Sequence, residues 1–294
     1  MKIHFIGVGK MGLPMAGHLR AAGNAVTVAD LDPQRLALAA AQGFGVEARG
    51  AGIGGAEAVF SSLPHDDALL AVAGLVASRA GRGLVFVDTS TVSLQASDEA
   101  AAVLDEAGVE YLRCTVSGNN KMAEAAQLTT MVSGPRAVYD RLLPLLSTFG
   151  PNRFYLGEGE QARLMKLVVN LMIAQTSAML AEGLALGRKG GLDWQDMWQV
   201  LGASAVASPI LKAKGVQLSQ RDFTPTFTVE QMLKDIGLIL DAGAASDVPL
   251  PQTAMTQQLM RSAIAQGDGQ QDYAAIIKTA ERGAGLAPLP EDKP

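Results

Sequence analysis

A stretch of 29 residues, Gln161 to Lys189, reads QARLMKLVVNLMIAQTSAMLAEGLALGRK and carries no proline, and no glycine before Gly183. Leu164, Leu167, Val168, Leu171, Ala178 and Met179 recur at the spacing of one face of an amphipathic helix. At a rise of about 1.5 Å per residue such a helix reaches roughly 40 Å, the width of a small domain, so it can bridge two bodies. Gly187, Gly190 and Gly191, with Arg188 and Lys189, supply its stop. Lys166 and Asn170 stand four residues apart and share a face near its start. That pair is the candidate catalytic centre.

Before this helix, strand and helix patterns alternate. Lys2–Ile6 reads as a buried strand and runs at once into Gly7-Val8-Gly9-Lys10-Met11-Gly12, followed by a helical pattern that stops at Gly23. A tight turn, a close approach of backbone to pyrophosphate, and close helix–strand packing each need a glycine in such a turn. The helix N-terminus behind it offers N–H groups and a positive dipole end to phosphates. A second strand, Ala25–Ala29, ends in Asp30, about 20 residues past the glycines, where a carboxylate accepts ribose hydroxyls and repels a 2′-phosphate. NAD is favoured over NADP, with Arg35 able to tolerate a phosphate. The competing reading is that Asp30 or Asp32 caps the helix beginning near Pro33.

Further strand signals at Ala58–Ser62 and Leu84–Asp88 continue the rhythm of a doubly wound parallel sheet. Such sheets bind ligands at their carboxyl edge, where Leu63, Pro64 and Thr91 would meet a cofactor. Leu63-Pro64 reads equally as a strand terminator, Thr91 or Ser93 as a helix cap, and His65 as a solvated helix start. A strand over Val109–Leu112 leads into a loop, Arg113 to Lys121, before another strand at Leu128–Val132. Ser117, Gly118 and Asn119 there can offer donors to an anion, or form an ordinary polar connection.

Beyond Lys189 strand alternation ceases. Asp193 caps one helical pattern, Thr228 and Gln231 form a capping box for a second, and two more follow, LPQTAMTQQLMRSAIAQ and DYAAIIKTAER. Trp194 and Trp198 read as core. Lys234 and Asp235 read either as a solvated ion pair or as a lysine turned toward a cleft. The tail Ala287–Pro294 is expected to fray. The fold class is therefore α/β: a Rossmann-type doubly wound parallel sheet over residues 1–160, then an all-α domain over 161–294 that begins with the long interdomain helix.

A net charge of -5 with no basic run argues against nucleic acid as a partner. A single cysteine, Cys114, excludes an internal disulfide and a cysteine-cluster metal site. The three histidines lack ligand spacing, so no metal is expected. No apolar run is read as spanning a bilayer, and the start MKIHFIGVGK reads as a strand, which together point to the cytoplasm.

With these residues in place, the chain resembles the β-hydroxyacid dehydrogenases, the group that includes 3-hydroxyisobutyrate dehydrogenase and tartronate semialdehyde reductase. Gly7 to Ala16 matches the family opening GxGxMGxPMA, and Asp88-Thr-Ser-Thr91 its D-x-S-T segment. Thr115 to Gly118 falls on its substrate loop, Leu128 to Gly134 on the following strand, Lys166 to Asn170 on its K-x-x-x-N, and Lys234-Asp235 on a later K-D pair. The chain departs at Asn119, Lys121 and Ala126, where the family loop is glycine-rich, and in a longer stretch before Lys166.

The resemblance implies hydride transfer between a nicotinamide and a small 3-hydroxy acid or its semialdehyde or keto form. Lys166 would be the acid/base, its pKa lowered by burial between domains and by Lys234. Asn170 would orient it, Ser117 and Gly118 would hold the substrate carboxylate, Asn119 would line the same loop, and Lys234 would add positive charge near substrate and cofactor. Gly7, Gly9, Lys10, Met11, Gly12 and Asp30 would bind the dinucleotide. A homodimer or homotetramer is expected. Taken alone, Lys166 reads as a surface lysine. Imine reduction and a non-enzymatic cofactor-binding module are the competing functions; the retained Lys166 counts against the first, and the intact Lys166–Asn170 pair against the second.

Overall fold

The computed structural model describes residues 1–47, 50–81 and 83–289. Of the tail expected to fray, residues 290–294 lie outside them. The chain divides into two compact units, Met1–Leu167 and the part from Val168 onward.

The first unit is a sheet with helices on both faces. Its strands are β1 (Lys2–Ile6), β2 (Ala25–Ala29), β3 (Gly45–Val46), β4 (Ala58–Ser61), β5 (Val85–Asp88), β6 (Glu110–Ser117), β7 (Thr129–Ser133) and β8 (Asn152–Tyr155). Between them run α1 (Gly12–Ala21), α2 (Pro33–Ala41), α3 (Asp66–Arg79), α4 (Leu94–Glu106), α5 (Asn120–Glu124) and α6 (Arg136–Leu146). The spatial order is β3-β2-β1-β4-β5-β6-β7-β8, with β6–β7 the antiparallel pair among otherwise parallel neighbours. The first six strands therefore reverse direction of build between β1 and β4, which opens a crevice at their carboxyl ends.

Strand KIHFI is buried from Ile3 to Ile6 because both faces of the sheet are covered. Phe5, Phe60, Val87 and Leu112 pack on one face with Met15, Leu19 and Leu142. Val59, Phe86 and Tyr111 pack on the other with Leu69, Val72 and Leu104.

The expected loop from Arg113 is a strand as far as Ser117. β6 continues because β7 pairs with it antiparallel, Arg113 opposite Ser133 and Ser117 opposite Thr129, which buries Arg113 to Val116. Beyond Gly118 the expected connection is the short helix α5. β3 and β8 are short edge elements with no apolar run to announce them.

The second unit is helical: α7 (Gln161–Lys189), whose start through Leu167 belongs to the sheet unit, then α8 (Trp194–Ala203), α9 (Pro209–Leu218), α10 (Val229–Ala245), α11 (Pro251–Ala265) and α12 (Ile276–Gly283). Asp193 caps α8 and the Thr228/Gln231 box starts α10, as read from the sequence. α9 was not foreseen, although Ser208 caps it and Pro209 opens it. α7 ends where Leu192 N–H donates to Gly187 O and Gly191, at φ +84°, donates to Arg188 O, a Schellman motif. Trp194 and Trp198 meet edge to face at 5.8 Å inside a core with Met232, Ile236 and Met260.

α7 departs from its expected apolar stripe. Ala174, Ala181 and Leu184 are buried, whereas Leu164, Val168, Met172, Met179 and Leu186 are exposed. The helix is apolar nearly all round, so periodicity does not reveal which face is covered. By length and composition it also passes as a membrane span, with mean hydropathy 1.5 over a window that is 33% buried, contrary to the expectation that no run qualifies. Its Arg163 and Asn170 are nevertheless buried and hydrogen-bonded within the protein.

Ala126 adopts φ 52°, the left-handed region where a Cβ is strained. Replacing it by glycine removes that strain at the expense of unfolded-chain entropy. Ala126→Gly is expected to stabilise the protein by about 0.5–1 kcal/mol. Scanning calorimetry should show a transition about 1–3 °C higher.

Candidate active site

The glycine turn after β1 serves two purposes. A Cβ on Gly7 would lie 2.3 Å from the Ser62 carbonyl oxygen, and one on Gly12 would lie 1.9 Å from the Gly7 carbonyl oxygen, so packing demands both glycines. A Cβ on Gly9 would meet only the Arg35 guanidinium, with Nη1 at 3.4 Å. Gly9 is thus bare toward a groove of about 600 Å³ that Val8, Lys10, Leu13 and Arg35 also line. The helices α2, α3 and α4 start on side-chain caps from Asp32, His65 and Ser93, but α1, entered through Met11, has no side-chain cap and no acidic residue in its first turn. A bare glycine backbone and an uncapped positive helix end fit a pyrophosphate.

Asp30, at the end of β2, accepts from Val8 N–H at 2.8 Å and from Asp32 N–H at 2.9 Å. Asp32 takes the cap of α2 through Gln34 N–H, so the two carboxylates divide the roles between them. Arg35, half exposed, lies 3.7 Å from Asp30 and 3.5 Å from Asp32. A solvated arrangement of this kind contributes little to stability, and it keeps a guanidinium beside the Asp30 carboxylate.

At the ends of β4 and β5 a polar network is fully buried. Asp88 Oδ1 accepts from Ser61 Oγ at 2.5 Å and Ser90 Oγ at 2.6 Å, while Ser90 Oγ accepts from Leu63 N–H at 2.8 Å. Arg163, in the first turn of α7, donates to Asp88 Oδ2 at 2.5 Å, Tyr111 Oη at 2.7 Å, Ser90 O at 2.5 Å and Ser97 Oγ at 3.2 Å. Desolvation works to lower the Arg163 pKa, but Tyr111 and Asp88 outweigh it and the pKa rises. Burial raises the Tyr111 pKa, against the pull of Arg163. The neutral phenol and the guanidinium are therefore compatible neighbours. Leu63, Pro64 and Thr91 follow these strand ends, with Pro64 exposed and Leu63 and Thr91 half-buried. Ser93 caps α4, and His65 caps α3 in solvent.

Ser117 closes β6, half-buried, and Gly118 follows at φ +140°. A Cβ there would lie 2.7 Å from Leu128 Cδ2. Asn119 accepts from Met122 N–H at 3.0 Å and so caps α5. Its carbonyl oxygen is engaged in the cap, whereas a glycine would leave the turn uncapped.

On α7, Lys166 is half-buried and Asn170 is buried one turn on. Asn170 Nδ2 donates at 2.6 Å to Asp235 Oδ2, and Asp235 is 1% exposed. A carboxylate only accepts, so this bond fixes the amide with its oxygen presented away from Asp235. Lys234 Nζ lies 2.9 Å from Asp235 Oδ1, with about a third of its side chain exposed. Cys114 is buried and its thiol is pushed up to about 12, chiefly by desolvation, so it is no nucleophile.

Sequence reasoning missed Arg163 and the buried partners Ser61, Ser97 and Tyr111. A lone arginine within an apolar helix gives no spacing signal. The only local hint was the pair of polar strand ends, Ser61 and Asp88, which are paired in register.

Comparison with known proteins supplies a second line of argument. Residues 2–157 match the NAD binding domain of 6-phosphogluconate dehydrogenase, and residues 160–280 match the NAD-binding domain of NADP-dependent 3-hydroxyisobutyrate dehydrogenase. The chain is similar to 2-(hydroxymethyl)glutarate dehydrogenase of Eubacterium barkeri, with 36% identity over 98% of this chain and 97% of that one. It is similar to 2-hydroxy-3-oxopropionate reductase of Escherichia coli K12, with 29% identity over 96% and 97%. The structure of Mycobacterium tuberculosis 3-hydroxyisobutyrate dehydrogenase with L-serine superposes with a TM-score of 0.87, at 28% identity and with 95% and 98% of the two chains covered.

Two glycine variants separate folding from ligand approach. Gly9→Ala should keep a near-wild-type melting temperature and weaken NADH binding, read by nicotinamide fluorescence, by about tenfold or more, since each 1.4 kcal/mol is tenfold. Gly12→Ala should lower the melting temperature itself. Separately, Ellman's reagent should find no reactive thiol in the folded protein and should titrate Cys114 only once the chain is unfolded.

Proposed function

This chain belongs to the β-hydroxyacid dehydrogenase family, and from that premise we propose that it oxidises a small 3-hydroxy acid to its semialdehyde or keto form, or runs the reverse, with Lys166 as acid/base and NAD as the preferred cofactor. The family is one of NAD(P)-dependent oxidoreductases of hydroxy acids. The bound nicotinamide supplies the two-electron acceptor or donor. What remains for the chain is to bind, to orient and to move one proton.

The observation that carries the proposal is Lys166 and Asn170 one turn apart on α7, with the Asn170 amide oriented by Asp235. Lys166 takes the hydroxyl proton as the alcohol is oxidised and returns it on reduction. A lysine serves in this way where desolvation or nearby positive charge lowers its pKa toward the working pH. Asn170, with its oxygen outward, accepts a hydrogen bond and so holds the ammonium or the substrate hydroxyl. Ser117 and Gly118 hold the substrate carboxylate, Asn119 shapes their turn, and Lys234 supplies positive charge. Gly7, Gly9, Lys10, Met11, Gly12, Leu63, Pro64 and Thr91 bind the dinucleotide. Asp30 selects NAD, with Arg35 leaving room for NADP.

We extend the proposal to a cytoplasmic homodimer or homotetramer, in which the exposed Leu164, Val168, Met172, Met179 and Leu186 of α7 are covered by another copy. In the same reading residues 1–160 form the dinucleotide-binding domain and 161–294 the substrate and dimerisation domain.

Nicotinamide absorbance with a panel of 3-hydroxy acids, 2-(hydroxymethyl)glutarate among them, tests the reading with NAD and with NADP. Wild type should turn over at least one acid, faster with NAD. Lys166→Ala should lower kcat by about 10²–10⁴-fold and leave NADH binding intact. Unimpaired turnover in Lys166→Ala overturns the acid/base assignment, and turnover of cyclic imines alone would move the chemistry to C=N reduction.

A further inference from the structure

We propose that Arg163 is a positioning residue, whose buried guanidinium locks the first turn of α7 to the ends of β4 and β5 and so fixes where Lys166 stands relative to the Ser90–Thr91 segment. The inference rests on the reading of Lys166 as acid/base. It concerns residues of the sheet unit alone.

Arg163 is 1% exposed and Asp88 is fully buried. Three guanidinium nitrogens reach four acceptors, on β5, on the Ser90 backbone, on α4 and on β6. A planar fork with donors at fixed angles can hold such a set, and a lysine ammonium cannot. The chain of bonds continues from Asp88 to Ser90 Oγ and from there to Leu63 N–H. It therefore ties the helix that carries Lys166 to two segments assigned to the cofactor, Leu63–Pro64 and Thr91. Lys166 lies three residues after Arg163, close to one helical turn, so a shift at one is felt at the other.

Other bonds hold the same turn of α7 to different strands. Thr115 Oγ1 donates to Ala162 O at 2.9 Å, Ala162 N–H donates to Ser133 Oγ at 3.2 Å, and Arg113 pairs with Glu160. These anchor the helix to β6 and β7. The bonds from Arg163 join this turn to Asp88 and Ser90 at the end of β5. Without its guanidinium the turn stays docked but loses its register against the end of β5. A misplacement of about 1 Å in a reacting group costs on the order of 10²-fold in rate.

The test compares Arg163→Met and Arg163→Lys with Arg221→Met, which removes an equally buried arginine paired with Glu281 in the helical unit. Three readouts are taken: kcat and KM for the hydroxy acid; the melting temperature; and the ¹³C NMR titration of reductively methylated Lys166, identified by its loss in Lys166→Arg. Both Arg163 variants should lose about 100-fold in kcat with the hydroxy acid KM changed less than about threefold. Their Lys166 titration should move away from wild type. Arg221→Met, at a comparable loss of melting temperature, should keep the wild-type titration and most of kcat. The proposal is overturned if Lys166 titrates identically in wild type and the Arg163 variants, or if their kcat falls no further than that of Arg221→Met. Should Arg163→Met fail to fold, Arg163→Lys carries the same expectations. The titration needs no substrate, so a wild type that turns over no hydroxy acid defeats the functional reading while leaving the role of Arg163 decidable.

Discussion

A guanidinium and a carboxylate with almost no access to water must each replace their hydration with protein partners, and the pair Arg163–Asp88 does so completely. Desolvating two charges offsets most of the attraction between them, so the pair is poor evidence for net stability. Removing one partner alone costs about 3–5 kcal/mol because the other is left buried and uncompensated. Its value lies in specificity of geometry. Ser61, Ser90, Ser97 and Tyr111 complete the set, and each comes from a different part of the sheet unit. The carboxyl edge of the parallel sheet and the start of α7 are therefore one hydrogen-bonded body.

The architecture was legible where a physical period imposed it. Parallel strands buried on both faces write continuous apolar runs, so β1, β2, β4 and β5 were placed to within a residue. Helix caps were legible for the same reason, since Asp32, Asp193 and Thr228 occupy positions that orphan N–H groups require. What failed depended on partners distant in sequence. β6 runs on through Arg113 to Ser117 because β7 lies beside it, a fact that no window around Arg113 contains. α9 gives no sequence signal beyond Ser208 and Pro209, because Ile210, Leu211, Ala213, Val216 and Leu218 do not gather on one face.

The site divides along the same line. The glycine turn, Asp30 and the Lys166–Asn170 spacing are local patterns, and they could be named as candidates from sequence. Arg163 could not, because its meaning comes from Asp88, 75 residues away in the chain. Asp235 reads from sequence only as half of a mid-helix pair with Lys234; it makes that pair and also accepts from Asn170, 65 residues away. The polarity of α7 is a third case. Its buried face mixes alanines with Arg163, Leu167, Asn170 and Leu184, while Leu164, Val168, Met172, Met179 and Leu186 face outward. A reader of periodicity assigns the larger residues to the core and is misled.

Asp30 carries an implication for how coenzyme choice is inherited. Its carboxylate is gripped by the N–H of Val8, in the very turn that bares Gly9 to the groove. In the proposed reading, the residue that reads the ribose is thus also a tether of the glycine turn. Selection and preorganisation would then be one side chain. An evolutionary or engineered exchange toward NADP at this position would surrender the tether together with the selector. A second change able to hold Val8 in place would have to accompany it, so coenzyme preference in this fold should drift in coupled steps and resist single substitutions.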